Sequence, residues 1–427
     1  MEPSLPRGTR DYGPEATIYL KDIIANVEAT YKAFGFSPID TPAIENLETL
    51  SAKAYGQESS GEIYRIEGGK EALRFDLSVP LARFMAMNKD LQMPFKRYHI
   101  GKVWRMDEPQ RMRFREFIQA DIDIIGSSEP LAEAECIAAN AAAIESLGIS
   151  SYEVLINSRI LLNAILAKFS FPEQVHGQAI RLIDKLDKIG MDGVSSEIKK
   201  LGVDAKQCEM MLEFITQEHS SSSELIEKLV NNIDGVKEEA SRITKILDLL
   251  EKYAIKGTAS LDFSLARGLD YYTSTVWEFV IYEKGRKLPT VAGGGRYDNL
   301  IGIFANRKVP AVGSSVGISR VFDLYFKDRV KRSYAEVYVA TIGAEVTDYA
   351  INAAKDLRKS GILVDMNITS RNISKQLEHA SALKIPYVAI IGKEEVSKSS
   401  LKLRNMETGS EEMLKIDEAA DRIKKIK

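Results

Sequence analysis

Residues 97–126, RYHIGKVWRMDEPQRMRFREFIQADIDIIG, read as two long strands joined by a basic loop, a pattern that commits this part of the chain to a sheet with one polar face. At period two, Arg113, Arg115, Gln119, Asp121 and Asp123 fall on one side, and Phe114, Ile118, Ala120, Ile122 and Ile124 on the other; Glu116 and Phe117 break the alternation. Such a face runs from arginines at the loop end through an amide to carboxylates. It can hold phosphate at one end and a small polar molecule at the other. Arg105 ends the first strand on the same side, and three guanidiniums around one loop suit a polyphosphate through charge-assisted, often bidentate hydrogen bonds. The same arginines would equally serve a surface hairpin, paired with Asp107 and Glu108.

The rest of the chain surrounds this hairpin with recognisable blocks. A helix is expected over 17–34, then GFSPIDTPAIE (35–45), an extended segment punctuated by two prolines. A strand and a short helix precede the hairpin; a helix over 131–147 and a strand over 152–156 follow it. From 172 to about 257 the chain turns charge-rich with a 3.6-residue period, as in RLIDKLDKI and VKEEASRITKILDLLEKYA, which predicts a helical insertion. Strands resume at 261–282. KDRVKRSYAE (327–336) has the polar, basic character of a linker, and beyond it VYVATIG, a helix over 346–359, GILVDMNI, a helix over 371–383, PYVAIIG and LKLRN alternate. That order predicts a separate small α/β domain with a mainly parallel sheet.

Composition narrows the function classes. The 427 residues allow two or three domains, and a net charge of −3 argues against a chain that coats nucleic acid indiscriminately. The first sixteen residues lack the apolar core of a signal peptide, and no apolar run is long enough to span a bilayer, so a cytoplasmic protein without membrane attachment is expected. Cys136 and Cys208 stand alone, and the four histidines have no ligand spacing; neither a disulfide framework nor a protein-bound metal site is indicated.

Three further segments carry chemistry. LARGLDYYT (265–273) sets Arg267 and Asp270 around a glycine and follows with Tyr271 and Tyr272; it suits a ligand site, or a strand end with an ion pair and two core tyrosines. AGGGRYDNL (292–300) removes side chains at 293–295, where a substrate could approach backbone, although it is not a GxxxxGK[ST] phosphate loop. In AVGSSVGISRVFDLYF (311–326), Arg320 lies in the first turn of a helix and off its apolar stripe, placed for an anion or simply for solvent.

In combination these elements resemble the histidyl-tRNA synthetases over nearly the full length. The hairpin is similar to the second signature motif of class II aminoacyl-tRNA synthetases, VGSSVGISR to the third, and GFSPIDTPAIE, with Pro42, to the first, which lies at the dimer interface. RGLDYYT and AGGGRYDNL resemble the two peptides peculiar to the histidine enzyme, and the N-terminal RGTRD also fits. The resemblance implies an α+β class II catalytic domain built on an antiparallel sheet (1–171 and 258–328), with the helical insertion (172–257) and a linker plus C-terminal α/β anticodon-binding domain (329–427). It implies a homodimer that uses ATP and Mg2+ to activate histidine and transfer it to the 3′ end of tRNA(His).

Residue by residue, the resemblance implies that Arg105 contacts the α-phosphate of ATP, with Arg113 and Arg320 near the terminal phosphates. Asp76 and Ser78 match positions that hold the substrate amino group, with Gln119 beside them. Asp123 and Tyr272 match positions facing the imidazole, with Tyr271 adjoining, and Arg267 approaches the substrate carboxylate and α-phosphate. Arg105 and Arg267 are the two catalytic residues so implied. Two departures stand out. Phe75-Asp76-Leu77-Ser78 replaces the bacterial Pro-Glu-Gly-Thr run and is closer to archaeal and eukaryotic members, and Ser319 replaces the usual acid before the third-motif arginine. The alternative is a histidine-binding regulatory subunit of an ATP phosphoribosyltransferase, a synthetase-like paralogue that charges no tRNA; such paralogues generally lack the C-terminal domain, which this chain retains.

Overall fold

The computed structural model describes residues 2–425 apart from 53–62, 111, 218–220, 267–270, 284–285, 306 and 329–331. Two compact units emerge: Met1–Arg10 with Asp22–Tyr325, and Asp11–Lys21 with Phe326–Lys427. The chain opens with α1 (Pro14–Ala33), β1 (Ser37–Pro38), β2 (Ile44–Asn46) and α2 (Leu47–Leu50), then β3 (Glu71–Leu73), α3 (Ser78–Met87) and the hairpin β4 (Phe95–Trp104) and β5 (Glu116–Ile125). Next come α4 (Pro130–Ser146), β6 (Tyr152–Ser158) and α5 (Arg159–Lys168). A helical block follows: α6 (His176–Ile183), α7 (Leu186–Lys199), α8 (Ala205–Thr216), α9 (Ser222–Asn232) and α10 (Lys237–Tyr253). The chain then returns to strands with β7 (Thr258–Leu261), β8 (Thr275–Glu283), β9 (Arg286–Lys287) and β10 (Ala292–Arg296), and continues through α11 (Gly302–Ala305), β11 (Ala311–Val316) and α12 (Ile318–Tyr325).

The large sheet runs β1-β4-β5-β11-β10-β8-β6-β7, with β9 beside β8. Every pairing from β4 through to β6 is antiparallel, and only the outermost pairs, β1/β4 and β6/β7, are parallel. The expected antiparallel catalytic sheet is therefore present. One detail of the hairpin differs from the sequence reading. Its ladder stops at the Trp104/Glu116 pair, so Arg113 and Arg115 belong to the loop and not to a strand face. The Arg115 amide hydrogen-bonds the carbonyl of Gly8 (2.8 Å), and Gln110 and Arg113 pair across the loop tip.

Helix α4 lies between the sheet and the helical block. Its alanine-rich sequence is buried on almost every side, the signature of a helix packed between layers. Toward the sheet, Asn140 donates to Ser314 Oγ (2.7 Å) and accepts from the Tyr31 hydroxyl (2.8 Å). Toward the helical block, α10 places Ala240, Ile243, Ile246 and Leu250 inward at three- and four-residue steps. There Arg242 reaches Glu133 (2.7 Å). Glu133 also takes a bidentate pair from Arg296 of β10, Nε at 2.8 Å and Nη2 at 2.7 Å. One wholly buried carboxylate thus ties α4, α10 and the glycine-rich strand together.

In the second unit the strands β12 (Val337–Thr341), β13 (Val364–Met366), β14 (Tyr387–Ile391), β15 (Leu401–Asn405) and β16 (Glu411–Leu414) form a sheet of order β13-β12-β14-β15-β16. Helices α13 (Thr347–Lys359), α14 (Ile373–Ala382), α15 (Lys393–Ser397) and α16 (Ile416–Lys424) accompany it. Val337 and Val339 point into one apolar cluster and Tyr338 and Ala340 into another, so both faces of β12 are covered. The sheet is mixed and not mainly parallel, because β15 pairs antiparallel to β14 and β16 antiparallel to β15. The tight turn after Asn405, with Gly409 at φ +75, folds the chain back as a hairpin where only one strand was read.

Replacing Glu133 with alanine would strip the Arg296 guanidinium, 2% exposed, of its buried bidentate partner and leave it only the half-exposed Asp298 (3.1 Å) as counter-charge. The expected loss is about 3–5 kcal/mol of stability, read as a drop in the urea midpoint. A variant unfolding at the wild-type midpoint would show that the three-way pairing is dispensable.

Candidate active site

The register of four strands builds the floor. Arg97, His99 and Gly101 of β4 stand opposite Asp123, Asp121 and Gln119 of β5; Asp123 and Asp121 in turn face Gly313 and Ser315 of β11, and these face Gly295 and Gly293 of β10. Opposed residues share a face, so one polar strip crosses the sheet. The glycines keep it open. A Cβ on Gly313 would lie 1.9 Å from Asp123 Oδ1, and one on Gly295 would lie 2.7 Å from the Tyr272 ring. A cavity of about 580 Å3 results.

At the carboxylate end, Arg97 is fully buried and pairs with Asp123 Oδ2 (2.5 Å), while the Tyr297 hydroxyl donates to Asp123 Oδ1. Gln119 Nε2 donates to Ser315 Oγ (2.9 Å), which leaves the Gln119 carbonyl as the free acceptor. Asp76 sits just ahead of α3 and accepts from the Val79 amide through Oδ1 (3.1 Å), so the start of that helix fixes its direction. Ser78 is the first residue of the helix, and its side chain hydrogen-bonds the Tyr271 hydroxyl. Tyr271 and Tyr272 pack edge to face at 5.0 Å and close this end.

At the loop end, Arg105 is held by the Phe75 carbonyl (3.0 Å) and lies over the Phe117 ring at 5.2 Å. Arg113 pairs with Asp107 (2.8 Å), and Arg320 donates to the Thr290 carbonyl (2.6 Å). Ser319, where an acid was expected, accepts from the Ile118 amide (2.9 Å) and so stitches the start of α12 to β5. The N-terminal peptide braces the loop. Arg10 pairs with Asp323 and stacks on Phe114 at 4.0 Å, and Gly8, at φ +82, has no room for a side chain against Pro109 and Arg115.

Charge is unevenly distributed along the cavity. Burial pushes the Asp76 carboxyl up to about 6 and that of Asp121 up to about 7, with the charges of Asp123 and Asp76 adding to the second shift. Asp123 is raised by burial too, although Arg97 and Tyr297 oppose the shift. Burial and the neighbouring guanidiniums of Arg97 and Arg74 lower His99 to about 4, so it is neutral near pH 7. Three carboxylates, with Arg97 the one guanidinium paired among them, favour a cationic ligand group at this end. The arginines favour anions at the other.

A family model described as Histidyl-tRNA synthetase matches residues 8–321, and one described as Anticodon binding domain matches residues 336–426. The chain belongs to the histidyl-tRNA synthetase family. Histidine–tRNA ligases of Aeropyrum pernix and Clostridium tetani are 38% and 35% identical to it, each comparison covering 99% of this chain and 98% of the relative. The crystal structure of histidyl-tRNA synthetase from a Nostoc species matches the whole of both chains with a TM-score of 0.88 at 28% identity.

Of the residues that likeness to the histidyl-tRNA synthetases singled out, Arg105, Arg113, Arg320, Asp76, Ser78, Gln119, Asp123, Tyr271 and Tyr272 all line this cavity. Arg267 lies outside the described residues. Arg115, assigned to the polar face, is absent from the lining; its guanidinium turns to the Asp107 carbonyl (3.0 Å) because the strand has not yet begun there. Four features escaped the sequence reading. Arg97 neutralises Asp123 from the facing strand, Tyr297 caps the same carboxylate, and Asp184 and Lys188 bring the helical block to the cavity wall. Glu239 of α10 accepts from the Ser158 (2.5 Å) and Ser274 (2.6 Å) hydroxyls, anchoring the chain just after the tyrosine pair. Only Tyr297 carried a local signal, its place in the glycine-rich peptide.

Gly313→Ala should force Asp123 off Tyr297 and Arg97. A cost of about 1–3 kcal/mol is expected for the overpacking, measured by urea unfolding. An alanine variant of unchanged stability would mean that Asp123 is not locked by its neighbours.

Proposed function

We propose that the chain is a histidine–tRNA ligase, which activates histidine with ATP and transfers it to the 3′ end of tRNA(His). The observation that carries this reading is one cavity with phosphate-binding arginines at one end and a cation-seeking, hydrogen-bonding pocket at the other, in a member of this family. Residues 1–171 and 258–328 form the catalytic core, 172–257 the insertion, and 329–427 the linker and anticodon-binding domain. Among the described residues no helix is long and apolar enough to cross a membrane; a cytoplasmic homodimer joined through the 35–45 segment is the matching arrangement. Phe75-Asp76-Leu77-Ser78 puts the substrate peptide closer to archaeal and eukaryotic members.

In this mechanism the histidine carboxylate attacks the α-phosphorus of ATP and pyrophosphate leaves. Both partners are anions, so Arg105 and Arg267 lower the barrier by neutralising the charge that gathers at the α-phosphate, while Arg113 and Arg320 hold the terminal phosphates. Among the described residues no group of three side chains could cage a metal. Magnesium would be carried mainly by the ATP phosphates, and Glu278 of the cavity wall, which accepts from Thr290 Oγ1 (2.9 Å), would be one protein carboxylate to support it. When bound, the ion would offset phosphate charge. No protein nucleophile is required. In the second step a ribose hydroxyl of the tRNA attacks the adenylate carbonyl.

Asp76, Ser78 and Gln119 hold the amino group, and Asp123 and Tyr272, beside Tyr271, face the imidazole. A side chain of similar size without ring nitrogens would leave these buried groups unpaired, a penalty of about 10⁴–10⁵ in rate for sites of this kind.

Exchange of pyrophosphate into ATP, assayed with each of the twenty amino acids, should require histidine and magnesium. Stimulation by a different amino acid would sink the assignment, and histidine binding with no exchange would turn the reading to the regulatory subunit. For Arg267→Ala, adenylate formation should fall about 10²–10³-fold with little change in histidine affinity, as seen in single-turnover rates. Unchanged turnover with weakened histidine binding would make Arg267 a ground-state clamp.

A further inference from the structure

Four buried acceptor atoms on the cavity lining have no hydrogen-bond partner among the described residues: Asp76 Oδ2, Gln119 Oε1, Asp121 Oδ1 and Asp123 Oδ2, and of these only Asp123 Oδ2 lies in an ion pair, with Arg97 at 2.5 Å. Unpaired buried acceptors are costly, and a binding site is where the cost is retained because a ligand removes it. A primary ammonium has three N–H donors and no acceptor, which matches the other three in number and sign. Asp123 is set apart from these three, since its Oδ2 is charge-paired with Arg97 and its Oδ1 accepts from the Tyr297 hydroxyl. Asp121 is 6% exposed, and its strand position puts it between Gln119 and Asp123 on the floor. Its other support is the Ser315 hydroxyl, which also receives Gln119 Nε2 and so fixes both acceptors at once.

We infer that Asp121 is a direct acceptor for the α-ammonium of the amino-acid substrate, completing a three-point cage with Asp76 and Gln119. This deepens the ligase reading and rests on it. The groups facing Asp121 are Arg97 and His99 from β4, Asp123 from its own strand, Arg74 and Asp76 from the segment ahead of α3, Tyr31 from α1, and Tyr271 and Tyr272 ahead of β8. With His99 neutral and Arg74 set back against the Thr41 and Lys102 carbonyls, Arg97 is the close counter-charge; its Nη2 is committed to Asp123, and its Nε and Nη1 make no hydrogen bond to Asp121 or any other described residue.

Two consequences follow for the ligand-free protein. The folded-state carboxyl of Asp121 is raised to about 7, so the folded chain binds this proton more tightly than the unfolded chain does. Its contribution to stability is least unfavourable at low pH, worsens as pH rises from about 4 to about 7, and is a constant penalty above that. Removing the charge should therefore stabilise the empty protein at pH 8. Near pH 7, taking up an ammonium should also drive a proton off Asp121.

The test is calorimetry of the full-length chain and of Asp121→Asn, with histidine and with 3-(imidazol-4-yl)propionate, which lacks the ammonium; weak binding of the second is read as its inhibition constant against pyrophosphate exchange. Expected are about 10- to 100-fold weaker histidine binding by the variant and a change within about twofold for the propionate. The thermal midpoint of the empty variant should rise at pH 8. In wild-type protein, titrations at pH 7 in two buffers of different ionisation enthalpy should show proton release with histidine that is absent with the propionate. Equal losses for both ligands would place Asp121 at the imidazole, and unchanged histidine affinity or a lowered midpoint would make it a structural residue; each overturns the inference. Failure of the wild-type chain to bind histidine at all would instead overturn the ligase reading.

Discussion

The ion pair between Arg97 and Asp123, both shut off from solvent, is the interaction on which the site depends. It exists because antiparallel register sets position 97 opposite 123 and 123 opposite 313. A guanidinium and a carboxylate at that depth are tolerable only as partners, since removing either leaves a buried charge uncompensated. The pair in turn dictates its surroundings: glycine at 313, because any side chain would meet the carboxylate, and a phenol from Tyr297 to satisfy the second oxygen. Central position in the sheet then gives the floor a rigidity that a loop-borne site would lack.

Around that fixed pair the cavity is electrically divided. Asp76 and Asp121 are carboxylates kept in unfavourable surroundings, while Arg105, Arg113 and Arg320 occupy the opposite end, where the Phe75 and Thr290 carbonyls and Asp107 help hold them. Such an arrangement sacrifices stability of the empty protein for preorganisation toward a ligand that is cationic at one end and polyanionic at the other. The helical block takes part in this. Through Arg242 and Glu239 its last helix reaches both the buried Glu133 and the serine after the tyrosine pair, and through Asp184 and Lys188 it lines the cavity. It is built into the site's support and is more than an appendage.

Much of this was legible in the order of residues. Period-two alternation from Gln119 to Asp123 fixed which side chains share a face, the long 3.6-residue pattern fixed the helical block, and alternating strand and helix signals fixed the last unit, because all three are local consequences of backbone geometry. Where a pattern was extrapolated past the end of its element it failed. Arg115 obeys the parity of β5 but precedes the first ladder pair, and LKLRN, antiparallel to β14, with the hairpin after it turned a parallel-looking sheet into a mixed one.

By itself the sequence determined the hairpin, the ordered set of motifs and the family they belong to, since each rests on contiguous residues whose spacing carries the chemistry. Only the tertiary structure decided which partners those residues have. Arg97 with Asp123, Glu133 with Arg296 and Arg242, Glu239 with Ser158 and Ser274, and the unpaired oxygen of Asp121 all join positions far apart in the chain or depend on what fails to reach them. Pairing of buried charge is a property of the low-dielectric space between elements, and that space does not exist until the sheet, α4 and α10 have closed around it.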